Sequence, residues 1–463
     1  MFLAGTIAYG VYSTRDNRTT QTYFLADRQL PWWAVMLSVV ATETSVLTFI
    51  SVPGIAYRGN WFFLQLAMGY IIGRILVSYI LLPLYYAKGI TSIYEFVGQR
   101  FGTLVQKVTS GVFLITRILA DGVRFFATAM LVSTLLPLNL VQAVLLIGFV
   151  TLVYTLSGGI KAVVWMDSLQ FILYLGAGLV SLVIIDGLIT GGLAVGLEQL
   201  RTAGKLAIFN FSTADLLSIS APYGFIAALL GGAFLSFASH GVDYMMVQRL
   251  LSTKSLGDAR RALIGSGFFV ALQFSLFMLI GGLLWVVFEG QVLPVDQEYP
   301  RFIGNYLPVG LKGILLAGVL AAAMSTLSSS INSLAASTVK DWLPKDVSVR
   351  ISRSIALFWG LVLMVVALSF TSKDSPVVIL GLQIASYTYG GLLGLFLLGR
   401  TKRDYPPVAL ITSLLVAAVA VIGLKSLGVA WTWYIIVALA ANLLTAEAVR
   451  LGLRKYTQSR SES

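Results

Sequence analysis

The stretch Leu316 to Asp341, LAGVLAAAMSTLSSSINSLAASTVKD, starts as apolar as a lipid-facing helix and then fills with hydroxyls, staying uncharged until Lys340. Ser325, Ser328 and Ser329 stand at i, i+3 and i+4, so a helix sets them on one face. Ala322 lies one turn before Ser325, and Thr326 flanks the stripe. Neutral oxygens clustered inside a membrane helix suit a small hard cation, which takes several oxygen ligands. Ser and Thr also let helices pack closely in lipid. The stripe alone leaves both readings open, and the surrounding chain has to decide.

That chain has 463 residues, 57% hydrophobic and 11% charged, with a mean hydropathy of +0.87. Soluble domains carry about 25% charged residues, so most of this surface faces a lipid bilayer. A spanning helix needs about 20 apolar residues, and the chain reads as about 13 such helices. That leaves no room for a separate soluble domain. Cysteine is absent, which excludes disulfides and thiolate metal sites, and the single histidine, His240, cannot assemble the usual zinc-enzyme ligand sets. The net charge of +12 follows membrane topology rather than a nucleic-acid partner. Most of the 32 Lys and Arg fall in the loops around Arg15, Arg100, Lys161, Arg260, Lys345 and Arg403 and in the C-terminal tail. By the positive-inside rule those loops are cytoplasmic, which places the N-terminus outside and the C-terminus inside a multi-pass cell membrane, expected to be a bacterial inner membrane.

Met1 to Val11 is apolar but too short to span, and reads as the end of a first helix. Thr14 to Leu30 reads as a polar loop. Helices are expected at 31–57, 60–87, 107–136, 138–157, 162–189, 219–248, 260–288, 308–340, 350–371, 375–399, 406–428 and 430–451. The first of these packs ATETSVLTFISVPG (Ala41 to Gly54) into mid-membrane and meets Pro53-Gly54. A break there frees backbone carbonyls that lipid cannot satisfy. The helix near 219–248 is interrupted in the same way, by Gly231-Gly232 and then SFASHGVD. Each broken helix opens a five-helix unit, 31–189 and 219–399, with 1–13 and 406–451 peripheral to one transmembrane domain. The fold class is therefore an all-α integral membrane protein with a LeuT-like core of two inverted five-helix repeats, whose sites lie at the midplane.

Four motifs in order then resemble the sodium:solute symporter family, over nearly the whole chain. They are YFLADRQLPWW (Tyr23 to Trp33), YTLSGGIKAVVWMDSLQ (Tyr154 to Gln170), GVDYMMVQRLLSTKSLGDAR (Gly241 to Arg260) and the serine helix through Asn332. Within that family, the stretch after Ala41 is similar to bacterial sialic-acid transporters. The resemblance implies a main sodium site from the carbonyls of Ala41 and Thr44 and of Ala322, with Ser325 and Thr326. It implies a second sodium held by Asp167 with Ser325, Ser328 and Ser329. It places Ser45 and Thr48 toward substrate. Glu43, Met166, Val242 and Tyr244 depart from the family pattern, which bears on substrate identity more than on sodium coupling.

Asp167 has two readings, a coupling-ion ligand or an acid near a helix N-terminus stabilised by the helix dipole. Arg124 lies in one helix with Arg117 and Asp121. Charges inside membrane helices are costly and mark function, and an arginine not fully neutralised can clamp a carboxylate through two parallel hydrogen bonds. Arg117 and Asp121 could equally pair for structure alone. Glu43 neutralises Arg124 or Arg74, binds a cationic group, or carries a proton. His240 and Asp243 sit at the second interruption as candidate substrate contacts. Gln65 and Gln383 either bridge helices or bind substrate hydroxyls.

The expectation is a sodium-coupled secondary symporter that imports a small polar organic solute by alternating access, needing no partner protein. The solute is a sugar, a sugar acid or another carboxylate, and the alternative is an amino acid, vitamin or monocarboxylate. A channel would need a filter of carbonyls or charges, and none is visible. A membrane enzyme would need a nucleophile elbow or a metal pattern, and neither is present.

Overall fold

The computed structural model describes Gly5 and residues 19–44, 46–216, 218–344, 347–370 and 377–461. Within them the chain is helical almost throughout. In order the helices are α1 (Thr20–Leu25), α2 (Trp32–Glu43), α3 (Val46–Arg58), α4 (Leu64–Ile80), α5 (Leu82–Ala87), α6 (Ile93–Phe101), α7 (Thr103–Leu135), α8 (Leu140–Leu188), α9 (Gly192–Thr202) and α10 (Thr213–Leu216). They continue with α11 (Phe225–Gly241), α12 (Tyr244–Leu251), α13 (Leu256–Val287), α14 (Glu298–Tyr306), α15 (Val309–Trp342), α16 (Val349–Ser369), α17 (Val377–Gly399), α18 (Pro407–Ser426) and α19 (Tyr434–Ser461). Eight helices among the described residues are long and apolar enough to cross a membrane, and ten if each of two bent pairs counts as one span. α7 is long enough to span, but it carries Lys107, Arg117, Asp121 and Arg124. The expected end of a first helix at Met1 to Val11 lies largely outside the described residues. Thr14 to Leu30 is not simply a polar loop: its described part folds as α1 and a short 3-10 turn that bury Tyr23, Phe24 and Leu25.

Both expected breaks exist, the first ahead of Pro53-Gly54 and the second at the end of the expected SFASHGVD stretch. α2 and α3 meet at 60°, and the bend falls at Thr44 rather than at Pro53-Gly54. The hydroxyl and the N–H of Thr44 both donate to the carbonyl of Val40, at 2.5 and 2.8 Å, so a side chain competes for the backbone where α2 ends. α3 runs through Pro53 to Arg58, because α13 backs it. Gly281 comes so close that a Cβ there would lie 2.0 Å from the Pro53 carbonyl.

α11 and α12 meet at 61° across Val242-Asp243, within the expected SFASHGVD stretch, while Gly231-Gly232 stay inside α11. Asp243 restarts the chain as the N-cap of α12 and accepts from the Met245 N–H at 2.9 Å. The carbonyls freed by this break are not left bare. Tyr85 donates its hydroxyl to Gly241 O at 2.7 Å and Tyr94 to Val242 O at 3.1 Å, which satisfies them inside the protein. α8 joins the two helices expected at 138–157 and 162–189 across a kink at Gly159 (φ 58°). A Cβ there would stand 2.4 Å from Tyr23 O, so the position needs glycine twice over.

Gly232 serves packing instead. Gly69 and Gly73 form a G-x-x-x-G face on α4 that meets Gly232 on α11. Added Cβ atoms would lie 2.3 Å from Leu229 O, 2.3 Å from Ala233 O and 2.4 Å from Leu66 O, respectively. Small residues are what let helices approach this closely in lipid. Gly73→Ala should therefore destabilise the protein by about 1–3 kcal/mol through overpacking against backbone. Gly176→Ala, where nothing lies within 4 Å, should be close to neutral. Melting of the detergent-purified variants checks both.

Candidate functional site

The inner face of α15 carries hydroxyls on two sides, and each side meets a buried carboxylate. On the first side Asp167, two turns past the Gly159 kink and fully buried, accepts Ser325 Oγ at 2.5 Å on one oxygen. Its other oxygen accepts Ser38 Oγ at 2.6 Å, Thr42 Oγ1 at 3.4 Å and Arg249 Nη2 at 3.2 Å. Ser329 accepts from Arg249 and donates to Ser325 O at 2.6 Å, and Ser328 donates to the same carbonyl at 3.0 Å. Asp167 thus joins α2, α12 and α15 from α8, which sets aside the reading of a simple helix-terminal acid.

On the other side Ser330 donates to Asp121. Arg117 bridges Asp121 at 2.9 Å and Asp243 at 2.8 Å, and Asp243 also accepts the hydroxyl of Tyr389. Arg124 adds a bond to Asp121 at 3.1 Å. Its Nε is buried without a hydrogen-bond partner, and the side chain keeps 14% exposure. Thr326 lines a narrow cleft with Asp121, Arg124 and Thr128. Ala41 and Thr44 line another with Gln170 and Tyr174, behind the first break.

Between these nodes lies a cavity of ≈ 690 Å³ including its open mouth. Glu43, Thr48, Arg117, Arg124, Ser239 and His240 give it polar corners; Phe63, Leu235, Met246, Phe274 and Leu382 give it apolar walls. A few convergent polar groups in a largely apolar concavity are what a small organic ligand needs. Glu43 pairs with the buried Arg74, which also holds Ser266 Oγ at 2.6 Å, and His240 Nε2 lies 3.6 Å from Glu43. Of the two arginine partners expected for Glu43, the structure shows Arg74.

The structure brings Thr48, Arg124 and His240 to one cavity and sets the other expected substrate contacts apart from it. Gln65 is committed to backbone, with Nε2 on Phe62 O and Tyr223 O at 3.0 Å each and Oε1 on Asn210 N at 3.2 Å. Asp243 is held by Arg117, Tyr389 and its own cap. Gln383 is half-buried, while its neighbours Leu382 and Ala385 line the cavity. Ser45 lies outside the described residues. Residue-by-residue reading missed Tyr70, Tyr389 and Arg249. The signal for Arg249 was the charged residue inside the quoted VQRLL stretch; the two tyrosines carried none.

Two broken helices beside a cavity with polar corners are the mark of a secondary transporter, a carrier rather than an enzyme. The chain belongs to the sodium:solute symporter family, whose model matches residues 23–400. It is 28% identical over 414 residues to a sodium/sialic acid symporter of Aliivibrio fischeri, covering 86% of this chain and 81% of that one. It is 29% identical over 403 residues to the human sodium-coupled monocarboxylate transporter 2, covering 83% of this chain but only 64% of that longer protein. A solved Na+-coupled sialic acid symporter, in a substrate-bound outward-open state, superposes with a TM-score of 0.87 at 24% identity, over 96% of this chain and 95% of that one. The fold is accordingly LeuT-like, and sodium is the coupling ion.

Arg124 is the cavity arginine with the most donor capacity to spare. Arg124→Lys keeps the charge but loses the planar fork. The expected loss is about 1.5–3 kcal/mol of binding to a carboxylate substrate, or a KM roughly 10- to 100-fold higher. Uptake kinetics in proteoliposomes check it, and an unchanged KM would make the arginine structural.

Proposed function

We propose that this protein imports a small polar carboxylate, of the sugar-acid class, together with sodium. The observation that carries the reading is Arg124, which faces the cavity with one bond to Asp121 and an unpartnered Nε. The apolar walls, Tyr70 and Tyr389 leave room for a substrate with a hydroxylated or acylated body behind its carboxylate. The similarity to sialic-acid and monocarboxylate carriers supports the same class.

In this reading the ion sits at the first break, held by the carbonyls of Ala41, Thr44 and Ala322 with Ser325 and Thr326. Ser325 gives its proton to Asp167, and a hydroxyl so committed keeps lone pairs for a cation. Thr44, whose own hydroxyl donates to Val40 O, offers its carbonyl. Sodium then braces α2 and α3 against α15, and the cavity between them takes substrate. Because binding couplings are reciprocal, the substrate also holds the ion.

In this reading the units 31–189 and 219–399 are two inverted repeats. Their opening on two bent helices of nearly equal angle supports this division. The basic segments around Arg100, Lys161, Arg260 and Arg403 face the cytoplasm by the positive-inside rule, which places the basic end of α19 on the cytoplasmic side of a bacterial inner membrane. At that end Arg28 holds Ile90 O at 2.8 Å, Tyr86 holds Leu250 O at 2.7 Å and Tyr244 holds Thr91 O at 2.7 Å. In this reading these bonds help to close the inner side.

Sodium should be required for uptake. Ser325→Ala removes a ligand and a donor to Asp167, and the half-saturating sodium should rise roughly tenfold for about 1.4 kcal/mol. Uptake of a labelled sugar acid in sodium and in choline buffers checks it; equal rates would refute the sodium reading.

A further inference from the structure

The second set of oxygens that the sequence offers a cation is occupied by one of the protein's own. Arg249 sits on α12, the short inner limb of the second broken helix, and is fully buried. Its Nη2 reaches Asp167 Oδ2 at 3.2 Å and also donates to Ser329 Oγ. Nε donates to Ser38 Oγ at 2.9 Å, and Nη1 to Met245 O at 2.6 Å. Of the four groups expected around a second sodium, Asp167 and Ser329 are bound to this guanidinium directly. Ser325 is bound to the same carboxylate, and Ser328 is turned onto the Ser325 carbonyl.

Charge gives the same answer as geometry. Asp167 and Arg249 cancel in a site without exposure to solvent. A sodium ion added there would leave a net positive charge in a dry cluster, where an unpaired charge is costly. It would also have to take oxygens from a guanidinium that already meets them in a fixed fork. We propose that Arg249 is a tethered cation filling the second ion position, so that the protein couples one sodium per cycle, the ion at the first break. This rests on the sodium-symport reading and goes beyond it. Ser325 then links the two positions, touching the transported ion with its lone pairs and the fixed ion pair through its proton. Because α12 carries the guanidinium, the inner limb is clamped to α2, α8 and α15 by charge that never leaves the protein.

Equilibrium binding of labelled sodium to the purified, substrate-free full-length protein tests this. The wild type should bind one ion at saturation. Ser329→Ala should leave that number unchanged, because its oxygen already serves Arg249. Arg249→Gln vacates the position beside Asp167, and the number should rise to two. Arg249→Gln with Asp167→Asn removes both charges together, which guards against a variant that fails to fold, and should bind one ion again. Two ions on the wild type, or one on a folded Arg249→Gln protein, would overturn the tethered cation while leaving sodium symport standing. No sodium bound by a folded wild type would instead refute the symport reading on which it rests.

Discussion

Asp167 is a carboxylate placed where no solvent reaches it, and the inner half of the bundle is arranged around its charge. A bare carboxylate at this depth would be untenable. Two serine hydroxyls, a threonine and a guanidinium converge on it, and each arrives on an element that lipid alone would not hold in place. α2 brings Ser38 and Thr42, α15 brings Ser325, and α12 brings Arg249. The two limbs that a rocking mechanism must move are thus anchored at one point by charge-assisted bonds, which are stronger than neutral ones and demand specific geometry.

The two breaks differ in what they do with the backbone they free. At the second, the phenols of Tyr85 and Tyr94 take the loose carbonyls, and Asp243 caps the new helix start. At the first, a threonine hydroxyl ends α2 one turn after Val40, and Ala41 and Thr44 line a cleft with Gln170 and Tyr174 of α8. One discontinuity is sealed by the protein and the other suits a passing ion. The first bend borders the cavity, whose Glu43 and Thr48 stand on opposite sides of it, and the proposed ion would lie beside the substrate.

Much of this was legible in the sequence because it rested on residues that lipid forbids without a reason. The hydroxyl stripe, Asp167, Arg124 and the polar run after Ala41 all stand out against an apolar background. The first break was placed too late, and the second was given too wide a span, because proline and glycine were read as punctuation. In the bundle Pro53 is accommodated by the close approach of α13, and Gly232 serves the contact between α4 and α11. Asp243 and Gln65 looked like ligands because buried polar groups need partners, and only the fold could show that those partners are Arg117, Tyr389 and backbone. Arg249 was visible as a charge inside a stretch quoted for its family resemblance, but only the fold shows that its guanidinium reaches Asp167 and Ser329.

The central claim is that the ion braces the bend that borders the substrate cavity, so that ion and substrate bind cooperatively. Calorimetric titration of the purified protein with its carboxylate substrate, in sodium and in choline, measures that coupling directly. The account predicts that saturating sodium tightens the substrate by a given factor, and that saturating substrate tightens sodium by the same factor. A substrate affinity that is equal in both buffers would contradict it.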